Sequence, residues 1–199
     1  MKKDNISRRT FLRAGIAVGT GLYGLSYLSS FERPRPLKTF KENRLKKGMV
    51  VVHGDVDERN DESSVIKEMV NRGIKAIDGM DKLISRGDNV VIKPNIAWDR
   101  RPEYAVNTNP FVVAALVGMC LEAGANRVKV LDHTCASNPD TSYTNSGIEK
   151  AAKEAGAVVR FVNKELFKNI KIPDGKVLDT WKYYEELIYQ DETDVLINV

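Results

Sequence analysis

The chain has 199 residues, 42% of them hydrophobic, which is enough apolar material for one sizeable core plus accessory segments. Its formal charge of +4 invites a nucleic-acid or membrane-surface reading, but the excess lies at the N-terminus: residues 1–47 hold 12 basic and three acidic side chains, and residues 48–199 hold 19 and 24. A nucleic-acid binder needs a basic footprint to neutralise phosphates, and the composition of the mildly acidic globular part excludes that class.

Residues 1–30 explain much of the positive charge. Arg8 and Arg9 are followed by Phe11 and Leu12, a further Arg13, and then a weakly apolar stretch from Ala14 to Leu28 that contains four glycines. The stretch is shorter and less apolar than a spanning helix. The pattern resembles a twin-arginine (Tat) export signal, which implies the Tat translocase as a partner and a periplasmic or other extracytoplasmic destination. The nearest small-x-small cleavage site is Gly24-Leu25-Ser26, and the signal holds the chain at the membrane only if it is left uncleaved. A short anchor or a basic arm is the plainer reading of the same residues. Residues 31–47 carry two prolines and many basic groups without a period, and read as a linker.

From residue 48 the pattern is that of an α/β domain. Met49-Val50-Val51-Val52-His53 has the composition of a buried parallel strand. Residues 55–62 form an acidic loop without the glycine and final glutamate of a calcium-binding EF-hand. Asp61 to Ser64 offer caps for a helix through Val65, Ile66, Met69 and Val70, interrupted near Gly73 and resumed through Ile74, Ile77 and Met80. Asn89 to Ile92 is the second strand. Thr108-Asn109-Pro110, with Asn or Thr as the cap and Pro at the first helical position, opens a helix with Val113, Leu116, Val117, Cys120 and Leu121 on one face, ended by Gly124. A third strand at residues 127–131, a helix at residues 146–155 and a fourth strand at residues 158–161 follow. This alternation defines an open parallel sheet with intervening helices. Pro173-Asp174-Gly175 centres a small β-hairpin, and residues 194–199 have the make-up of one more buried strand. A buried parallel strand at the chain's end leads us to expect an incomplete, C-terminally truncated domain spanning residues 48–199.

Ligands of parallel sheets lie beyond the carboxyl ends of the strands. Those ends collect His53-Gly54-Asp55, Lys93-Pro94-Asn95, Asp132-His133-Thr134-Cys135, Asn163-Lys164 and Asn198, including both histidines and one of the two cysteines. A lysine closing a buried strand must reach solvent, a carboxylate or an anionic ligand. Lys93 is therefore either paired with Asp55 or Asp132, or set to bind an anion. Asn95 either fixes the turn after Pro94 or orients that ligand. His133, with Asp132 or Cys135, is a candidate acid–base pair, and His133, Cys135 and His53 are candidate metal ligands, because imidazole, carboxylate and thiolate are what transition metals accept. The spacing matches no closed zinc site. Cys120, on an apolar helix face, reads as core, which disfavours a disulfide with Cys135. Two cysteines cannot supply the four thiolates of a 4Fe-4S cluster. Neither a Gly-Lys-Ser/Thr phosphate loop nor a Gly-x-Ser-x-Gly elbow occurs. The residues name no cofactor and decide neither for nor against an enzyme.

Val90-Val91-Ile92-Lys93-Pro94-Asn95, Thr108-Asn109-Pro110, Glu122-Ala123-Gly124-Ala125 and Asp194 to Val199 together resemble the domain-of-unknown-function family 362. The likeness spans about residues 49–199. It makes Lys93 and Asn95 motif positions. It also implies a continuation through a proline into a lysine- and histidine-containing stretch, and relatives that carry an additional iron–sulfur domain. Two functions follow as expectations: binding of a small anionic ligand or a metal-containing cofactor at the strand ends, or a non-catalytic redox-accessory module docking an iron–sulfur partner. An inactive gene fragment is the third.

Overall fold

The computed structural model describes residues 49–55, 61–162, 165, 167–172, 174–184 and 193–199. The twin-arginine segment with Arg8, Arg9, Phe11 and Leu12, the basic linker, most of the acidic loop, and Asn163-Lys164 lie outside the described residues.

Helix α1 (Glu62–Ala76) starts where Asp61 accepts the Ser64 amide hydrogen on its side chain. It runs unbroken through Gly73, contrary to the expected interruption there. The break comes at Asp78 and Gly79, both with positive φ, before the one-turn α2 (Met80–Leu83). Strand β1 (Asn89–Lys93) is buried along its middle three residues, as the apolar run Val90-Val91-Ile92 requires. A 3-10 turn at Pro102–Tyr104 precedes α3 (Pro110–Glu122). Asn109 caps α3 through the Phe111 amide, and proline takes the first helical position, where its missing N–H is harmless. Gly124, at φ +98°, turns the chain into β2 (Arg127–Val130).

Two helices then follow where one was expected. Asn138 caps α4 (Pro139–Asn145) through the Asp140 amide, and Gly147, at φ +74°, redirects the chain into α5 (Ile148–Glu154). Strand β3 is confined to Val158–Val159, shorter than expected. Strands β4 (Phe167–Lys171) and β5 (Thr180–Tyr184) form the hairpin, set further from the Pro-Asp-Gly turn than the sequence pattern places them. The last strand is β6 (Val195–Asn198).

The main sheet is parallel throughout, in the order β3-β2-β1-β6, with Val91 opposite Lys129 on one side and Leu196 on the other. Residues alternate between its faces. Val90, Ile92, Val128 and Val130 pack with Val113, Val117, Cys120, Tyr143 and Ile148 of the helices in the principal core. Val91 and Leu131 form a smaller cluster on the other face with Val162, Phe167 and Leu196. The α/β architecture with a parallel sheet and a separate hairpin thus agrees with the sequence.

Residues 49–53 depart from it. No strand forms there. Met49 is 89% and Val51 80% exposed, while Val52 faces Gly73 of α1. Both flanks of the central β1 are taken by β2 and β6, so this apolar run joins neither side of β1.

Candidate functional site

Pairing in register brings the carboxyl ends of β1, β2 and β6 to one edge. Lys93 lies opposite Asn198, and Ile92 opposite Val130, two residues before Asp132. At that edge Lys93 Nζ is 2.8 Å from Asp132 Oδ1. The second carboxylate oxygen of Asp132 accepts the Ile96 amide hydrogen at 2.7 Å. Asp132 is 5% exposed, and it is held a third way: its backbone N–H donates to the Tyr143 hydroxyl at 2.6 Å, and that hydroxyl donates back to the Asp132 carbonyl at 2.7 Å. Burial raises the pKa of Tyr143 well above its ordinary value, so the phenol keeps its proton and can donate.

Asn95 is engaged by its own loop. Its Oδ1 accepts the Ala97 amide hydrogen, its Nδ2 donates to Val106 O, and its backbone amide donates to Thr108 Oγ1. Thr108 Oγ1 in turn donates to the Val199 carbonyl, so the loop after β1 is sewn to the end of β6. Asn107 bonds Trp98 and Arg100 across the same loop, and Asn145 of α4 donates to Asp99 at 2.6 Å. That bond, with Thr141 second, holds the Asp99 pKa below its ordinary value.

Beyond Asp132 the chain lines a cleft of about 570 Å³, walled by Asp132, His133, Thr134, Cys135, Ser137 and Glu165 among others. Its wall is ordered by backbone and hydroxyl bonds: Cys135 N–H donates to Ala97 O, Thr134 Oγ1 also donates to Ala97 O, and it accepts the Ala136 amide hydrogen. His133 and Cys135 are exposed there. The His133 ring stands edge-on to Phe167 of the hairpin, with ring centroids 5.3 Å apart. A helix-lined groove of about 360 Å³ between α1 and α3 holds Lys67 and Glu122 but no histidine, cysteine or aspartate.

The structure therefore brings together Lys93, Asp132, His133 and Cys135 and leaves His53 elsewhere. His53 is not at a strand end, because no strand forms there. Its imidazole is exposed, 3.8 Å from Asp55, and its carbonyl accepts a bond from Arg72 of α1. Among the described residues no three His, Cys, Asp or Glu side chains gather closely enough to hold a metal ion. Of the pairings open to Lys93, the one with Asp132 is formed. Tyr143 is the residue that sequence reasoning missed. The available signal was Asn138-Pro139, the same cap-and-proline opening that marks α3 at Asn109-Pro110.

These features define a parallel α/β domain with a polar cleft beyond the carboxyl end of an inner strand. Residues 90–199 match the family described as domain of unknown function (DUF362), and the chain belongs to that family. No curated protein and no solved structure matches it.

Proposed function

We propose that this chain is an exported family member whose cleft at the end of β2 binds a small ligand carrying an acidic group. The observation that carries this reading is the contrast within one short segment. Asp132 is immobilised by Tyr143, Lys93 and Ile96, while His133 and Cys135, beside it, are exposed on the cleft wall. A fixed base beneath two accessible reactive groups is how binding sites hold their contacts in place. In this reading His133 meets the acidic group, the Lys93–Asp132 pair fixes the base of the cleft, and Cys135 with Thr134 supplies the polar wall. A ligand that brings its own metal needs only His133 and Cys135 from the protein.

Titration of the protein with acetate and with inorganic phosphate, followed by backbone amide NMR shifts, tests the reading. Shifts confined to residues 93 and 132–137, abolished by His133→Ala, are expected; shifts absent or spread over the surface refute it. Elemental analysis of the purified protein separates the metal-carrying ligand from the simple anion. Export rests on the Arg8-Arg9 pattern, and replacing both arginines by lysine should leave the chain in the cytoplasm.

A further inference from the structure

The hairpin has a tip whose surface the cleft does not use. Ile172 is 36%, Val177 95%, Leu178 48% and Trp181 54% exposed, all within ten residues. Isolated apolar residues on a surface are ordinary, but four large ones at one turn are not. The turn is built to keep them out. Ile172 N–H donates to Asp179 O, Gly175 N–H donates to Ile172 O, and Asp174 takes a left-handed φ of 59°. A Cβ at Gly175 would run into the Leu178 carbonyl, so the chain is folded tightly there with its aliphatic side chains outward.

Charge distinguishes the same element. Residues 167–184 hold four lysines and two aspartates, in a globular part that is otherwise acidic. Lys171, Lys176 and Lys182 are exposed. At the other end of β4, Phe167 is anchored against His133 and the Val91–Leu131 cluster. Five residues of strand then place the tip roughly 15 Å from that anchor.

We propose that this tip docks on the surface of an anionic bilayer. Ile172, Val177, Leu178 and Trp181 enter the boundary between headgroups and acyl chains, and Lys171, Lys176 and Lys182 meet the acidic headgroups. Tryptophan favours that boundary, and lysines near it gain from anionic lipid. A protein partner fits less well, since a stable interface buries roughly 800 Å² per side, more than four side chains on a hairpin tip offer. Nucleic acid fits less well again, because three of the four side chains are aliphatic and give bases nothing to stack on. No helix among the described residues is long and apolar enough to span a bilayer.

The test uses the full chain, so that the N-terminal segment contributes equally to every variant. Trp98→Phe leaves Trp181 as the sole indole reporter. Its emission should shift to the blue on vesicles of equimolar phosphatidylcholine and phosphatidylglycerol, and far less on phosphatidylcholine alone. Val177→Asp with Leu178→Asp should weaken co-sedimentation with the mixed vesicles about tenfold or more. Circular dichroism of that variant should be unchanged, because both side chains are exposed. An unshifted Trp181 spectrum, or undiminished binding by the double variant, places membrane contact elsewhere and overturns the proposal. A shift produced by an oligonucleotide but not by vesicles does so too.

Discussion

One tyrosine hydroxyl closes both backbone hydrogen-bonding groups of Asp132. Tyr143 accepts from the Asp132 N–H at 2.6 Å and donates to the Asp132 carbonyl at 2.7 Å, beneath a wall of the cleft. Neither backbone group can reach β3 instead, because β3 pairs only with Lys129 and Val130. Tyr143→Phe leaves a buried donor and acceptor without this partner and should cost about 1–3 kcal/mol. Urea denaturation measures the loss. Amide NMR should show its structural effect concentrated at residues 131–134, and an effect spread evenly over the sheet would mean the ring's packing, not the hydroxyl, is what matters.

The Lys93–Asp132 pair calls for a double-mutant cycle. Lys93 is about one-third exposed while Asp132 is buried, so removing the lysine leaves a carboxylate supported, among the described residues, only by the Ile96 amide. Lys93→Met should destabilise more than Asp132→Asn, which keeps an acceptor for Ile96 N–H. The coupling energy should be about 1–3 kcal/mol, below that of a fully buried pair because water reaches the ammonium. Additive single effects would show that the two charges act independently and that Lys93 is free to serve a ligand alone.

The sequence makes Asn89 to Lys93 legible because an apolar run closed by charge and proline is compatible with little but a buried strand. Met49 to His53 has nearly the same local pattern and forms no strand. A β-branched run encodes suitability for a sheet but not a pairing partner: β2 and β6 flank β1, and residues 49–53 pair with none of the strands in the order β3-β2-β1-β6. The site shows the same division. Spacing places Lys93, Asp132, His133 and Cys135 at strand ends, but only the parallel register decides that Lys93 reaches Asp132, not Asp55. Tyr143, in a polar stretch with no apolar period around it, carries no local sign of burial, since its value lies in a backbone eleven residues away.

Acidification should loosen two helix contacts. The Glu149 pKa is lowered, chiefly by the bond from Lys153 at 2.6 Å and secondarily by Thr144, and the Asp61 pKa is lowered by the hydroxyls of Ser63 and Ser64 and the Ser64 amide. Each group therefore has a folded pKa below its unfolded one. Its stabilising contribution is complete above the ordinary carboxylate range and is lost as pH falls through the folded value. Melting temperature should drop across that acid window, and the drop should be smaller in Glu149→Gln and in Asp61→Asn. Equal pH slopes in wild type and both variants would assign acid sensitivity to other carboxylates. Raised salt should weaken the Glu149 part more than the Asp61 part, because an ion pair is screened while a cap bonded to hydroxyls and an amide is not.

The two cysteines are predicted to behave as different chemical species. Cys120 is fully buried on α3, and burial pushes its thiol up to about 12. At pH 8 the thiol therefore stays protonated, behind a packed core that a reagent cannot enter without local unfolding. Cys135 is exposed on the cleft wall, and both thiols are free. Iodoacetamide should therefore add one label per native chain, none to Cys135→Ser, and a second only in denaturant, as read by intact mass. Oxidation should leave no Cys120–Cys135 bridge, because forming one would require withdrawing Cys120 from among Val113, Val117 and Val128 of the core. Two labels on the folded chain would show that α3 opens on the timescale of alkylation. Protection of Cys135 by a bound small anion, with Cys120 unchanged, would report occupancy of the cleft at the atom that lines it.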